Sequence, residues 1–334
     1  MFDKNVLPLG SVFQGWNVPE EMGKNPWWVD LTAKRIPSKI RVKITEKEVF
    51  SMTAYCDLHT HSVFSDGTDT PAQLLDKAQA QGLCAIALTD HNTVAGLPSF
   101  MEAAEGRPVR AIPGVEFSAD YQGTELHILC LFLKQDHYQT VTDLLEDYHR
   151  RKEHSNIQLV DRLNAAGYVL NYEKIKAATP NGQVNRALIA AELTQLGYTE
   201  SIQDAFRQLL SPKCGYYVPP LRPSPFEVIS FIKSLGAVAV LAHPFLNLNE
   251  DQLREFLPQA VRYGLDGMET IYSTYDEKTT ALAKTIADEF GLLHSGGSDY
   301  HGNNKPHIEM GVGQGDLAIP ERLMAALETH TGIL

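Results

Sequence analysis

From Tyr55 onward the chain alternates short apolar runs with stretches of helical spacing. Residues 83–89, Leu-Cys-Ala-Ile-Ala-Leu-Thr, form a short continuous apolar run, which suits a strand buried on both faces. Just before it, Leu74, Leu75 and Ala78 recur at helical spacing over 71–81, with Pro71 near the start and Gly82 beyond the end. Residues 109–115 and 126–133 read as the next strands. Later come a strand over 237–242, a helix over 251–263, a strand over 265–271, a helix over 277–290 and a strand over 292–295. This β-then-α order predicts a parallel barrel.

Two stretches break the alternation. Between 135 and 221 the strand signals vanish: 138–166 reads as one or two helices ending at Gly167, followed by helical spacing over 184–196 and 201–210. Tyr216, Tyr217 and Pro219-Pro220 read as a rigid exit from this helical insertion. Residues 1–54 hold Trp16, Trp27 and Trp28 among Pro8, Pro19, Pro26 and Pro37, and only 41–45 alternates like a strand. The expected domains are thus an N-terminal extension over 1–54, a barrel over 55–134 and 222–334, and an insertion over 135–221.

A chain of 334 residues can bury a large core, and 43% apolar with 21% charged residues suits a globular enzyme. The 41 acidic against 29 basic residues give a formal charge of -12, which opposes extended binding to DNA or RNA but leaves room for a short oligonucleotide or one phosphate. No apolar run is long enough to span a bilayer, and the first residues lack the regions of a signal peptide, so no membrane partner is expected. Cys56, Cys84, Cys130 and Cys214 show no Cys-x-x-Cys spacing and read as buried free thiols, which fits the cytoplasm.

The chemistry lies at the ends of the apolar runs. His59-Thr-His61, Asp66, His91, Glu116, His127, His243 and Asp299-Tyr-His301 each follow one, where a strand delivers a side chain to one rim. His-x-His on a strand puts both imidazoles on the same face, and Asp299-x-His301 repeats that geometry. These are the ligands of divalent transition metals, and nine exceed the needs of one ion. Two or three ions are expected, with Mn²⁺, Fe²⁺ and Zn²⁺ all suited to a nitrogen and oxygen set without thiolate. Clustered ions lower the pKa of bound water from 15.7 towards about 7 and clamp a transferring phosphoryl group, so phosphoester hydrolysis is the expected reaction. Glu116 is the candidate bridging carboxylate. Asp57 and Asp90 could orient neighbouring histidines. His294 matches no ligand motif, and His137, His149, His154, His307 and His330 read as surface residues. Neither a phosphate-binding glycine loop nor a nucleophilic serine motif occurs.

In order, Asp57-Leu-His-Thr-His with Ser65-Asp66-Gly67, Thr89-Asp90-His91, Gly114-Val115-Glu116 and Gly297-Ser-Asp-Tyr-His-Gly302 resemble the PHP (polymerase and histidinol phosphatase) family over roughly 55–315, and within it the small bacterial phosphoesterases. The resemblance implies a distorted (β/α)7 barrel with a mostly helical insertion serving as a substrate lid. It implies a trinuclear centre: His59, His61, Glu116 and Asp299 on one ion, Glu116, His127 and His243 on a second, Asp66, His91 and His301 on a third. Glu116, Asp299 and His301 would be catalytic, with a hydroxide held by the Glu116-bridged ions. Arg150, Arg151, Asn156 and Arg186 resemble substrate-phosphate positions, and guanidinium grips phosphate bidentately. The family's Arg-Pro-His reads Arg186-Ala187-Leu188 here, a departure that bears on substrate choice. The implied substrate is a small phosphorylated metabolite, a nucleoside 3′,5′-bisphosphate or a cyclic phosphate. The alternatives are a 5′–3′ exonuclease on short RNA or DNA, a histidinol-phosphate phosphatase, and a non-catalytic metal-binding regulatory module. The general acid is left open.

Overall fold

The computed structural model describes residues 54–179, 184–220 and 222–332. The expected 1–54 extension, with its tryptophans and the alternation at 41–45, lies outside them apart from Ala54.

In chain order the elements begin with β1 (Tyr55–Thr60), α1 (Pro71–Ala80), β2 (Ala85–Leu88), α2 (Leu97–Ala104), β3 (Arg110–Tyr121) and β4 (Thr124–Leu131). The helical stretch follows as α3 (Tyr138–Ala165), α4 (Tyr172–Ala177), α5 (Arg186–Gln195) and α6 (Ile202–Ala205), the last continuing into a π turn over Phe206–Leu210. The chain then returns through α7 (Pro225–Ser234), β5 (Val238–Leu241), α8 (Pro244–Asn247), α9 (Glu250–Arg262), β6 (Gly267–Tyr272), α10 (Glu277–Glu289), β7 (Leu293–Gly297), β8 (Ile319–Pro320) and α11 (Glu321–Glu328). α1 forms where the spacing predicts it: Thr70 caps it in a capping box with Gln73, Pro71 opens it, and Leu74, Leu75 and Ala78 are its buried stripe.

The strands form one nearly closed sheet in the order β7-β6-β5-β4-β3-β2-β1-β8, so the two-residue β8 joins the seven longer strands. Closure occurs at the rim, where the Asp299 amide donates to the His59 carbonyl and the His61 amide to the Tyr300 carbonyl, both at 2.9 Å. The expectation of a parallel barrel is corrected at β4, which is antiparallel to both β3 and β5. The cause is local. Gln122 and Gly123 both take positive φ, 55° and 85°, making the two-residue turn that joins antiparallel strands. β3 therefore runs on to Tyr121 and pairs with β4 down to Tyr121↔Thr124.

Alternation along the strands divides the apolar core into two clusters. Ile86, Leu88, Val115, Phe117, Ile128 and Cys130 join the larger, and Ala85, Ala87, Ile112, Leu129 and Leu131 the smaller. Residues 159–217 contribute to a third cluster of their own, including Leu159, Leu163, Ile189, Leu193 and Leu210. Cys56 and Cys130 are buried, but Cys84 and Cys214 are only half-buried, which corrects the expectation for those two; all four are free thiols.

Candidate metal centre

The nine expected ligands meet at one rim of the barrel. Glu116, fully buried on β3, sits among them with its two oxygens facing different partners. Oε2 lies 3.2 Å from His59 Nε2, 3.2 Å from His61 Nε2 and 3.0 Å from His91 Nδ1. Oε1 lies 2.8 Å from His127 Nδ1 and 3.2 Å from His243 Nε2. Asp299 Oδ1 adds contacts of 3.5 Å to His59 Nε2 and 3.2 Å to His61 Nε2. On the outer side, Asp66 Oδ1 is 3.2 Å from His301 Nε2 and 3.8 Å from His61 Nδ1, and Oδ2 is 3.9 Å from His91 Nε2.

These separations suit ligands better than hydrogen bonds. Ligand atoms held about 2.0–2.2 Å from a shared ion stand roughly 3.0–3.5 Å from one another. His59 Nε2, both ring nitrogens of His61, Glu116 Oε2 and His127 Nδ1 are buried without a hydrogen-bond partner despite those close approaches. Among the described residues, three groups can each enclose an ion: His61, Asp66, His91 and His301; His59, His61 and Glu116; and His91, Glu116 and His127. Orphaned buried nitrogens aimed at a shared point are costly unless a cation takes their lone pairs, so the residues fit divalent ions.

The charge balance says the same. Burial alone would raise the Glu116 pKa, but the imidazoles of His91, His59 and His127 outweigh it and hold the carboxyl well below its usual range. Burial opposes protonation of His61 and His127, yet carboxylates prevail and push them to about 9 and about 10. His91 goes the other way, to about 3, through burial and the charges of His61 and His127, against the pull of Glu116. The pocket is a set of buried anions that draws positive charge to itself.

The surrounding hydrogen bonds aim the rings. His59 Nδ1 meets Glu269 Oε1 at 3.1 Å, which turns Nε2 toward Glu116. The other Glu269 oxygen accepts the His243 amide at 2.7 Å. His301 Nδ1 donates to the Asp299 carbonyl at 2.8 Å and leaves Nε2 for the Asp66 side. Asp299 Oδ2 accepts from the Tyr272 hydroxyl and the Lys305 ammonium, both at 2.7 Å, so only Oδ1 faces the imidazoles. His243 and Asp299 hold positive φ, 28° and 55°, a strained backbone for non-glycine residues at two of the expected ligands. Gly297 is required by close approach: a Cβ there would lie 2.1 Å from His59 Cβ.

The orienting role expected of Asp57 and Asp90 belongs to other groups. Asp57 accepts the amides of His59, Ser298 and Gly311, and Asp90 accepts from Ser62 and Ser65, so both organise loops and touch no imidazole. Glu269, a buried acid inside the apolar run of β6, orients the ring instead; an acid in such a run was the available signal. His294 pairs with Asp288 at 3.1 Å, away from the centre.

A cavity of about 420 Å³ opens beside the centre, with Asp66, His91 and His127 at one wall. Arg186 and Asn156 line it, as expected of substrate positions. Arg186 stacks over Tyr217 at 4.3 Å, and Asn156 is buried and donates to the Val184 carbonyl at 2.9 Å. Arg150 and Arg151 are exposed, pair with Asp147 at 3.3 and 2.5 Å, and do not line the cavity. The cavity cations not foreseen are Lys152 and Arg222, and His149, expected at the surface, is half-buried and lines it as well. Arg222 pairs with Glu125 at 2.6 Å, whose other oxygen is 3.5 Å from His127 Nε2.

The comparisons agree with this geometry. Residues 57–214 match the model of the PHP domain. A 5′-3′ exoribonuclease of Haemophilus influenzae is 32% identical over 251 residues, covering 75% of this chain and 91% of that protein. A 3′,5′-nucleoside bisphosphate phosphatase of Chromobacterium violaceum is 28% identical over 250 residues, covering 74% of this chain and 87% of that protein. A solved chain from Bifidobacterium adolescentis, provisionally named a metal-dependent phosphoesterase, superposes with a TM-score of 0.67 at 28% identity, covering 83% of this chain and 96% of that one.

Proposed function

The chain belongs to the PHP domain family, and on that premise we propose that it is a metal-dependent phosphoesterase acting on a small phosphorylated metabolite of the nucleoside 3′,5′-bisphosphate or cyclic-phosphate type. The observation that carries this reading is the convergence of nine nitrogen and carboxylate side chains beside a cavity lined by cations. Two or three divalent ions, Mn²⁺, Fe²⁺ or Zn²⁺, would be held as follows: His59, His61, Glu116 and Asp299 on the first, Glu116, His127 and His243 on the second, Asp66, His91 and His301 on the third. When bound, such ions acidify a water and neutralise charge on the phosphoryl oxygens.

The chain's own residues do the rest. Glu116 divides its two oxygens between neighbouring ligand sets, as a bridging carboxylate must. Asp299 presents one oxygen because Tyr272 and Lys305 hold the other, and His301 presents Nε2 because Nδ1 is engaged. Arg186, its guanidinium stacked over the Tyr217 ring, would offer its N–H edge to a phosphate in the cavity, and Asn156 holds the Val184 backbone just ahead of it. Residues 135–221 would serve as the lid that closes the substrate against the barrel. Free thiols and a chain whose described helices are all too short or too polar to cross a membrane are compatible with a cytoplasmic setting.

A second reading, 5′–3′ exonuclease action on short RNA, is favoured by the 32% identical relative of that name. The formal charge of -12 opposes an extended polyanion, though the cavity cations could receive one 5′ end. Phosphate or nucleotide release by Mn²⁺-loaded protein from 3′,5′-bisphosphates, cyclic phosphates, histidinol phosphate and short 5′-phosphorylated RNA separates them. Preference for a mononucleotide supports the first reading, and processive release from RNA replaces it with the second. Silence across the panel, with metal bound, refutes both.

A further inference from the structure

Of the side chains in the candidate centre, Asp66 stands farthest along the chain from the end of a strand, in the loop between β1 and α1. Its carboxylate is 49% exposed, whereas the neighbouring imidazoles of His61 and His301 are 0% and 4% exposed. Its own loop ties it to the β1–β2 side. The Ser65 and Gly67 amides donate to the Ser62 carbonyl at 3.1 and 3.0 Å, and the Ser65 hydroxyl donates to Asp90 at 2.6 Å. Yet Asp66 Oδ1 comes within 3.2 Å of His301 Nε2, which follows β7.

Contacts outside the expected ligands join the two loops. A short helical turn over Gly302–Asn304 follows His301, and at its end Asn304 Nδ2 donates to the Asp66 carbonyl at 2.7 Å. The Asn303 amide donates to Thr68 Oγ1 at 2.9 Å, and Gly302 packs so closely that a Cβ there would lie 2.1 Å from that oxygen. Just before His301, the Tyr300 hydroxyl donates to Asp69 Oδ2 at 2.6 Å. The Lys77 ammonium braces this pair, at 2.7 Å from Asp69 Oδ2 and 2.6 Å from the Tyr300 hydroxyl.

Resting on the metal-dependent phosphoesterase reading above, we propose that Asn304 and Thr68 are positioning residues for the third ion, holding Asp66 against His301. Asn304 is exposed, so it does not fill the core; its amide is engaged by the backbone of the residue whose carboxylate faces His301. His301 is itself fixed, because Nδ1 donates to the Asp299 carbonyl at 2.8 Å. A half-exposed carboxylate recruited from solvent loses rotamer and loop freedom each time an ion binds, whereas one already docked does not. Among the described residues, neither the Asn304 nor the Thr68 side chain hydrogen-bonds to Glu116 or to the six histidines of the centre. Their influence should therefore fall on the ion that Asp66 holds and spare the others.

Titration of the full chain with Mn²⁺, read as bound ions from the paramagnetic resonance of the free ion, tests this. Asp66→Ala marks the third-ion step by abolishing it. Asn304→Ala should weaken that same step about fivefold, the effect of one lost hydrogen bond, and leave the other steps in place. Adding Thr68→Val, which keeps the shape but removes the acceptor for the Asn303 amide, should bring the loss to about 10-fold or more. Asn303→Ala should titrate as wild type, since that residue is engaged through its backbone. In Asp66→Ala, adding Asn304→Ala should change nothing further. Equal weakening of every step would make the clamp a general packing feature, and an unshifted third step would leave Asp66 held by its own loop; either overturns the proposal. So does a titration in which Asp66→Ala removes no step. If wild type binds no Mn²⁺ at all, the metal-dependent reading falls, and this one with it.

Discussion

Replacing Gly297 with alanine should damage the centre without touching any ligand. The added Cβ would sit 2.1 Å from His59 Cβ, and 2.9 Å from both the His59 amide nitrogen and Glu269 Oε1. Carbon atoms pack at about 3.5–4.0 Å, so β1 and β7 must part by roughly 1.5 Å or more at the rim. Overpacking of this kind costs about 1–3 kcal/mol. A displacement of about 1 Å at a reacting centre can lower the rate about 100-fold. The displaced group is His59, whose Nε2 is within 3.2 Å of Glu116 and whose Nδ1 is held by Glu269. Gly291→Ala is the matched control. Its φ of +69° imposes left-handed strain of about 1–2 kcal/mol, but nothing lies within 4 Å of the new methyl. Both variants should therefore melt several degrees below wild type, roughly 2–4 °C per kcal/mol. Only Gly297→Ala should lose metal content and kcat/KM when assayed at a temperature where both are folded. A folded Gly297→Ala protein with full metal content and wild-type turnover would refute the claim that β1–β7 contact sets His59.

The orienting role of Glu269 predicts that Glu269→Gln weakens metal binding about 10–100-fold, seen as a shifted Mn²⁺ titration with activity recovered at excess metal. An unshifted titration would mean the carboxylate is only structural. Arg186→Ala should raise KM on a phosphomonoester about 10-fold or more, as loss of a charge-assisted bond does, while Arg150→Ala leaves KM unchanged because Arg150 is occupied by Asp147 outside the cavity. Equal effects in the two variants would put recognition elsewhere. Thiol labelling of the native protein should modify Cys84 and Cys214 well before Cys56 and Cys130, whose thiols burial pushes far up; early reaction at Cys56 would contradict the packing under β1.

The side chains of the candidate metal centre were legible because each ends an apolar run, and residue type and position together specify where a strand delivers them. What orients them was harder to see. Glu269 carries its signal, an acid inside a buried run, but nothing local says which histidine it meets from 210 residues away in the chain. The direction of β4 was readable only from Gln122-Gly123, a weak turn pair whose positive φ at glutamine is unusual. The cavity cations were misassigned on α3 for a geometric reason. Leu145, His149, Lys152, Asn156, Leu159 and Leu163 follow one another at spacings of four and three, a single helical stripe whose apolar ends are buried. His149, Lys152 and Asn156 are the polar middle of that stripe, and they line the cavity. Arg150 and Arg151 fall off it. The stripe is present in the sequence, but an arginine pair draws attention ahead of a lysine in register.

The most direct test of the central claim is phosphate release from adenosine 3′,5′-bisphosphate by wild type and Glu116→Gln, with bound Mn²⁺ counted in the same samples. Glu116 offers oxygens to ligand sets on both sides, at 3.2 Å to His59 and 2.8 Å to His127. The expected result is turnover by wild type with at least two ions bound, and loss of both turnover and at least one ion in Glu116→Gln. Undiminished turnover in Glu116→Gln would contradict a hydrolytic centre bridged by this carboxylate.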